Sequence, residues 1–317
     1  MYAPDSRPAE SPQPDRHPLN GNGGTYPLGE RTQPAYPSYS PYSPRRDEVA
    51  YAEPVRYTRP LLHIPTEKPL LTYVLLGMLV AVYLLMILAA GSITNSESVS
   101  FLVKWGAKLG TYIVDRGEWW RLITATFLHG SILHIAFNGY ALYVVGSDTE
   151  VFFGRARFLA IYAVSGLGGS LASLAFEPLN VAGVGASGAI FGVIGALAVY
   201  FGLHRKLFGD MGRKQFQRIM LVIAINLAFG FSAAIFNVDN YAHLGGLLTG
   251  AAVGYALCPR YALGEWETPS VRRLLNVNRG TLPWVATLLI SLDVVMATVV
   301  IIQLLSQGII ARNMMGQ

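Results

Sequence analysis

The sequence has few of the residues that mark a soluble or disulfide-stabilised protein. Only 14% of its 317 residues are charged and 52% are hydrophobic, whereas soluble globular proteins carry about 25% charged residues. Cys258 is the single cysteine, which excludes an internal disulfide and a cysteine-based zinc site. No apolar run of signal-peptide length follows Met1, so no cleavable secretory signal is expected. These absences favour a polytopic membrane protein.

The net charge of +5 does not predict a nucleic-acid partner. The basic residues lie between apolar runs rather than on one face, and membrane topology explains that distribution better. The sequence also has no cluster of metal-ligand residues, so we expect neither a metal nor another cofactor.

Residues 1–69 differ in composition from the rest of the chain. They hold fourteen of the 18 prolines and are rich in Tyr, Ser and Gly. Such a segment buries too little apolar surface to offset its ordering entropy, so we predict a disordered cytosolic tail. Its PxxP spacings, Pro34 to Pro37 and Pro41 to Pro44, either bind a proline-recognition module or arise by chance in a proline-rich chain.

Seven apolar segments follow, and each approaches the length of about 20 residues that a membrane-spanning helix needs. We place them at 70–91, 131–153, 157–176, 187–203, 218–236, 241–258 and 283–306. The connection at 92–130 is aromatic and too polar to span, which predicts an interfacial segment. The predicted fold class is an all-α polytopic membrane protein.

Lysine and arginine predict the orientation, because cytoplasmic connections carry an excess of these residues. Nineteen of the 24 lie in the tail and in the second-to-third, fourth-to-fifth and sixth-to-seventh connections. We therefore expect a cytosolic N terminus, an external C terminus and a location in the plasma membrane. Segments 2, 4 and 6 then enter the bilayer from the external face.

Three reactive side chains stand at or near the starts of those segments: His134 in segment 2, Ser187 in segment 4 and His243 in segment 6. They are therefore expected at a similar depth. A serine needs a general base to attack a carbonyl at neutral pH, and histidine is its usual partner. Intramembrane serines also act as helix-packing residues, so Ser187 alone allows either interpretation.

The neighbours of Ser187 favour chemistry. Gly185 and Gly188 leave room for a substrate backbone, and a residue that opens a helix has free N–H groups nearby that suit an oxyanion. His134 and Asn138 are spaced i, i+4 on one helix face. Their side chains either complete an oxyanion hole or form an interhelical hydrogen-bonded pair.

Small residues recur on two of the segments, at Gly188, Gly192 and Gly195 in segment 4 and at Gly246, Gly250 and Gly254 in segment 6. Such stripes let two helix backbones approach closely. If they face each other, Ser187 and His243 come within reach of each other.

Five motifs occur in one order along the chain: Trp120-Arg121, His134-x-x-x-Asn138, Gly146-x-x-x-Glu150-x-x-x-Gly154, Gly185-Ala186-Ser187-Gly188 and Ala242-His243-x-x-Gly246-x-x-x-Gly250. With these motifs, the chain resembles the rhomboid family of intramembrane serine proteases over about 70–258. The resemblance implies a six-helix catalytic core there. Residues 259–317 would then be a cytosolic linker, an additional seventh helix and a short external tail.

The resemblance also implies roles for individual residues. Ser187 would be the nucleophile and His243 the general base of a dyad, while His134 and Asn138 complete the oxyanion hole. The implied reaction is cleavage of single-pass transmembrane proteins inside the lipid bilayer through an acyl-enzyme, without a cofactor. The supporting residues would be Gly185, Gly188, Phe191, Glu150 and Arg121.

Among these supporting residues, Phe191 would stack on the catalytic histidine where the family often has tyrosine. Glu150 and Arg121 would brace helix 2 and the first loop, and residues 232–240 would cap the site. Two further acidic residues are candidates for a role: Asp239 as a triad acid and Asp293 as an acid within the predicted membrane segment 7. We expect no triad acid in such a dyad, and we expect a protonated Asp293 bonded to another helix.

Two other functions remain open at this point. A pseudoprotease on the same fold would bind or traffic membrane proteins, but the complete Ser, His and oxyanion set disfavours it. A transporter would need paired charges or broken helices along a path through the membrane, whereas the polar groups here gather on one side. The oligomeric state is not predicted.

Overall fold

The computed structural model describes residues 61–63, 66–232, 238–268 and 271–314, and helices dominate it. Outside the first connection, the helices are α1 (Leu70–Ala90), α6 (Ile132–Ala141), α7 (Ser147–Phe153), α8 (Arg155–Phe176), α9 (Ser187–Ser232), α10 (Asn240–Leu257) and α11 (Leu282–Met314). Short helices fill the first connection: α2 (Ile93–Ser96), α3 (Val99–Trp105), α4 (Gly110–Arg116), α5 (Arg121–Thr124) and a 3-10 turn (Ala125–Phe127).

Four helices in the described part are long and apolar enough to cross a membrane by themselves. They are Leu70–Ala90, Arg155–Phe176, Ser187–Ala228 and Leu282–Leu305. The third contains the predicted segment 4 and most of segment 5. Segment 2 corresponds to α6 and α7, which a π-helical stretch (Leu142–Gly146) joins. Segment 6 corresponds to α10, whose first turns carry Asn240 and His243.

The connection between the predicted segments 4 and 5 is itself helical. The element α9 runs from Ser187 to Ser232 and is broken at Gly209, which has φ 57° and ψ −132°. A residue with a side chain rarely adopts this backbone conformation. Glycine thus allows the chain to change direction while both halves remain helical.

A buried carboxylate connects α7 to the start of α1. Glu150 is fully buried, and its two oxygens accept hydrogen bonds from the Leu71 N–H (2.8 Å), the Thr72 N–H (2.7 Å) and the Thr72 hydroxyl (2.8 Å). The first N–H groups of a helix have no partner within the helix. Glu150 therefore caps α1 from a distant part of the chain and fixes α7 against it.

Helices α9 and α10 pack with their backbones almost in contact, as the glycine stripes predict. A Cβ atom on Gly246 would lie 1.9 Å from the Gly188 carbonyl oxygen, and one on Gly250 would lie 2.1 Å from the Gly192 oxygen. Helix α8 joins this group, since a Cβ on Gly169 would lie 2.8 Å from the Ala242 oxygen. Only glycine permits these approaches, and the two stripes do face each other, which is the condition stated above for bringing Ser187 and His243 together.

Two small sheets complete the described fold, and the sequence predicts neither. The strands are β1 (Leu61–His63), β2 (Lys108–Leu109), β3 (Ala182–Gly183), β4 (Tyr261–Thr268) and β5 (Val271–Asn276). In the larger sheet, of order β1-β5-β4, the parallel pairing of β1 with β5 brings residues assigned to the tail onto the linker after α10. In the smaller one, β2 pairs with β3, so Lys108 lies opposite Gly183.

Candidate active site

Ser187 is the first residue of α9 and is half-buried. The loop that leads to it follows β3 and is held by a hydrogen bond from the Gly185 N–H to the Ala125 carbonyl (2.9 Å). Gly185 has φ 123°, a conformation that favours glycine. As the sequence predicts, the serine stands at a helix start, where backbone N–H groups lack intrahelical partners.

His134 and Asn138 lie directly against this loop. A Cβ atom on Gly185 would be 2.6 Å from His134 Nε2 and 3.7 Å from Asn138 Nδ2. His134 occupies the first turn of α6, where its N–H donates to the Ser131 hydroxyl at 3.1 Å. One N–H of the buried Asn138 amide donates to the His134 carbonyl at 3.1 Å. The structure thus brings both side chains beside the chain that precedes Ser187.

His243 lies near the start of α10 and packs against α9. Its ring is buried and stacks on Phe191, with 4.2 Å between ring centroids and 14° between planes. Phe191 lies one turn after Ser187 on α9. A Cβ on Gly188 would be 3.3 Å from the carbonyl oxygen of Ala242, the residue before His243. Residues four apart share a helix face, so His243 packs against the face of α9 that carries Ser187.

Asp239, the candidate triad acid, is engaged elsewhere. Its Oδ1 accepts a hydrogen bond from the Ala242 N–H at 2.8 Å, which makes it the N-cap of α10. Its Oδ2 accepts from the Ser173 hydroxyl. The buried His243 Nδ1 has no hydrogen-bond partner among the residues that the structure describes. The carboxylate therefore organises the backbone before His243 and does not orient its imidazole.

The remaining predicted site residues lie away from this cluster. Glu150 caps α1, as described above. Arg121 is buried in the first connection, where its guanidinium donates to Glu118 (2.6 Å), the Val103 carbonyl (2.6 Å) and the Ala107 carbonyl (3.0 Å). These contacts hold α3 and the chain that follows it against α5. Neither side chain contacts Ser187 or His243.

Two residues near the site carry no assignment from the sequence. Lys108 is only 3% exposed, although it lies in the connection assigned to the external side. Burial lowers the pKa of Lys108, while Asp239 and Glu177 oppose that shift through their charge. Ser173 on α8 bonds to Lys108 at 2.5 Å. The lack of polar neighbours around Lys108 in Trp105–Leu109 was the signal available in the sequence.

Asp293 is exposed on α11 and lines a cavity of about 470 Å³ between α8, α10 and α11. Thr249 and Gly168 also line this cavity, which is otherwise apolar. It lies apart from the Ser187 cluster. Within the described ranges, no group of three or more His, Cys, Asp or Glu side chains is arranged to hold a metal ion.

Comparison with known proteins identifies the family. A family model described as Rhomboid domain matches residues 116–260. The chain is 44% identical over 190 residues to the rhomboid protease GluP of Bacillus subtilis (strain 168), a match that covers 60% of this chain and 35% of that protein. It is 38% identical over 170 residues to "RHOMBOID-like protein 6, mitochondrial" of Arabidopsis thaliana, which covers 54% and 53%.

The rhomboid protease AarA of Providencia stuartii is 32% identical over 212 residues, and the match covers 60% of this chain and 73% of that protein. By contrast, the matches span about a third to a half of the length of the first two relatives. The family model and these relatives confirm the resemblance and the predicted fold class. The chain belongs to the rhomboid family and is a multi-pass, all-α integral membrane protein.

Proposed function

We propose that this protein is an intramembrane serine endopeptidase that uses Ser187 as its nucleophile and His243 as its general base. One observation carries the proposal. The turn before Ser187 contacts His134 through Gly185, and the turn after it contacts His243 through Phe191. A nucleophile, a base and an oxyanion donor from three helices thus surround one helix start. Relatives named rhomboid proteases support the same reaction class.

The reaction is acyl transfer. The imidazole of His243 takes the proton of the Ser187 hydroxyl as its oxygen attacks the carbonyl carbon of a substrate peptide bond. The tetrahedral intermediate collapses when His243 returns that proton to the departing amine. A water molecule, activated by the same imidazole, then hydrolyses the ester and releases the second product. A histidine stacked on an aromatic ring keeps its orientation through this cycle.

The negative charge of the intermediate needs donors that are already in position, since such preorganised groups stabilise it at little reorganisation cost. The N–H of Ser187 and the side chains of His134 and Asn138 serve as these donors. Gly185 supports this assignment, because any side chain there would occupy the space of the His134 ring. One of the two N–H groups of the Asn138 amide remains available beyond its bond to His134.

In this proposal, Ser187 and His243 form a dyad that works without an acidic third residue. The two carboxylate oxygens of Asp239 are used by the Ala242 N–H and by Ser173. His243 is held instead by Phe191 and by the close approach of α9 and α10. Packing thereby takes over the orienting task that an aspartate performs in a catalytic triad.

The substrates in this proposal are single-pass membrane proteins, cut in or near their transmembrane segment. A substrate helix enters from the lipid and unwinds beside Ser187, on the external side of a plasma membrane, with the N terminus of the enzyme in the cytosol. The connection at 232–240 covers the site. Residues 233–237 of that connection and residues 1–60 of the tail lie outside the described residues.

The core domain in this proposal is 70–258, and 259–317 adds the linker and the seventh helix. The alternative function is that of a pseudoprotease which binds or traffics membrane proteins on the same fold. It predicts substrate binding without cleavage. The presence of Ser187, His243, His134 and Asn138 around one point favours the protease.

Cleavage of a transmembrane substrate by the purified protein tests the proposal. Wild type, Ser187→Ala and the matched control Ser291→Ala on α11 are incubated in proteoliposomes with several single-pass substrates. We expect wild type and Ser291→Ala to give the same product and Ser187→Ala to give none. Binding without cleavage in all three variants would support the pseudoprotease, and equal cleavage in all three would remove Ser187 from the mechanism.

A further inference from the structure

A lysine, a serine and an aspartate from three distant parts of the chain form a buried cluster beside the candidate active site. The Lys108 ammonium in β2 donates to the Ser173 hydroxyl of α8 at 2.5 Å, and that hydroxyl donates to Oδ2 of Asp239 before α10. The Lys108 Nζ lies 3.9 Å from the same oxygen. We refer to Lys108, Ser173 and Asp239 as the Lys108 cluster.

The Lys108 cluster is costly to bury. Lys108 is 3% exposed and Ser173 is 1% exposed, and an ammonium removed from water loses several kcal/mol of hydration. Such a charge is tolerated only with an opposite charge and hydrogen bonds in place. An apolar residue at 108 would avoid this penalty altogether. The buried ammonium is instead held in one place by Ser173 and Asp239.

Asp239 connects the Lys108 cluster to the helix that carries His243. While Oδ2 faces Ser173 and Lys108, Oδ1 accepts the Ala242 N–H at 2.8 Å. The Asp239 carbonyl accepts the His243 N–H at 3.1 Å. The carboxylate is thus held from one side and holds the first turn of α10 from the other.

The chain that leads to Ser187 rests on the same cluster. Strand pairing sets Gly183, four residues before the serine, opposite Lys108. A Cβ atom on Gly183 would lie 3.2 Å from Lys108 Cε and 3.6 Å from Asp239 Oδ2. Both candidate catalytic residues are therefore reached from the Lys108 cluster through short, ordered stretches of backbone.

From this arrangement we infer that Lys108 and Asp239 are positioning residues for the Ser187–His243 pair. The buried ion pair fixes the first turn of α10 relative to the loop before α9, so that the imidazole meets the serine hydroxyl in the reactive geometry. This inference rests on the proposed function. It assigns no contact between the Lys108 cluster and substrate, so it predicts an effect on kcat without a matching effect on KM.

Two substitutions at 239 separate the charge from the cap. Asp239→Asn keeps an oxygen for the Ala242 N–H, and asparagine is as good an N-cap as aspartate, but the ion pair is lost. Asp239→Ala removes both. Lys108→Met removes the cation with little change in length. Lys104→Met, at an exposed lysine of the same connection, is the matched control.

The experiment measures kcat and KM on a transmembrane substrate for these variants and for Lys108→Met combined with Asp239→Asn. We expect kcat to fall about tenfold in Lys108→Met, because a charge-assisted buried hydrogen bond is lost, and KM to stay within about twofold. The double variant should lose no more than Lys108→Met alone, while Lys104→Met should match wild type. Additive losses, or a rise in KM at constant kcat, would overturn the inference.

A second measurement does not depend on activity. Amide hydrogen exchange at Ala242 and His243 should accelerate in Asp239→Ala and in Lys108→Met but not in Lys104→Met, since the first turn of α10 is released. Unchanged exchange in Lys108→Met would contradict the inference even if the enzyme cleaves substrate. If Asp239→Ala and Lys108→Met exchange faster but the wild-type protein cleaves no substrate, the proposed function alone is refuted.

Discussion

The ring of Phe191 stacks on the imidazole of His243 at a centroid distance of 4.2 Å. This contact joins the helix that begins at Ser187 to the helix that carries the base. It also explains how a buried histidine whose Nδ1 has no partner in the described part of the chain keeps one orientation. The stack orients the imidazole as the aspartate of a catalytic triad would. Its removal should therefore lower turnover more than it destabilises the fold.

Replacing Phe191 with alanine should lower kcat by about three- to tenfold, because stacked aromatic pairs contribute about 0.5–1.5 kcal/mol. Phe191→Tyr retains the ring and should stay within about twofold of wild type. Steady-state kinetics on a transmembrane substrate measure both. An equal loss in the tyrosine and alanine variants would show that the stacked ring does not orient His243.

The α9–α10 contact should tolerate no side chain at Gly250. A Cβ there would lie 2.1 Å from the Gly192 oxygen and 2.2 Å from its Cα, so Gly250→Ala must push the backbones apart. We expect a loss of at least about 1–3 kcal/mol in the free energy of unfolding in detergent. Gly77→Ala on α1 is the control, because its Cβ meets nothing within 4 Å. Equal stability of the two variants would contradict the packing described.

Glu150 should contribute to stability as the cap of α1. Alanine at this position leaves the buried Thr72 N–H without a partner, which costs about 1–3 kcal/mol, and also removes the acceptor of the half-buried Leu71 N–H. Glu150→Ala should therefore unfold at a clearly lower temperature than wild type, and Glu150→Gln should recover only part of the loss because it keeps one acceptor. The exposed Glu265→Ala should change stability by less than about 0.5 kcal/mol. Wild-type unfolding of Glu150→Ala would exclude the cap.

Burial of Lys108 has a consequence for stability at alkaline pH. Because burial lowers the pKa of Lys108 against the opposing charges of Asp239 and Glu177, the folded protein releases this proton at a lower pH than the unfolded chain. Between the two pKa values the unfolded state binds more protons, so stability rises with pH. We expect wild type to gain stability relative to Lys108→Met from neutral pH toward the ordinary lysine pKa of about 10.4. A constant or falling difference would contradict this sign.

Many residues of the candidate site could be named from the sequence because each belongs to a short, recognisable sequence pattern. Helix starts at Ser187, His134 and His243 are visible as polar residues at the ends of apolar runs, and glycine spacing predicts which helix faces meet. The Lys108 cluster was missed because its members are 65 and 66 residues apart along the chain. In the sequence, Lys108 is only one of the basic residues that indicate membrane topology. The tertiary fold is needed to show that it is a buried partner of Asp239.

Other parts of the fold could not be predicted from local composition. The connection between segments 4 and 5 was identified only by its basic residues, and the chain there is helical apart from the break at Gly209. Residues 261–276 fall in the predicted linker, where β4 and β5 pair in antiparallel fashion. The irregular register of this pairing leaves no regular alternation of apolar and polar residues in the sequence.

The central claim is that His243 activates Ser187, and reaction with a fluorophosphonate probe tests it most directly. The probe should label wild-type protein in membranes at Ser187, as identified by mass spectrometry of the modified peptide. Labelling should disappear in Ser187→Ala and fall to background in His243→Ala, while Ser291→Ala should match wild type. Labelling of His243→Ala at the wild-type rate, or no labelling of a folded wild-type protein, would contradict the account.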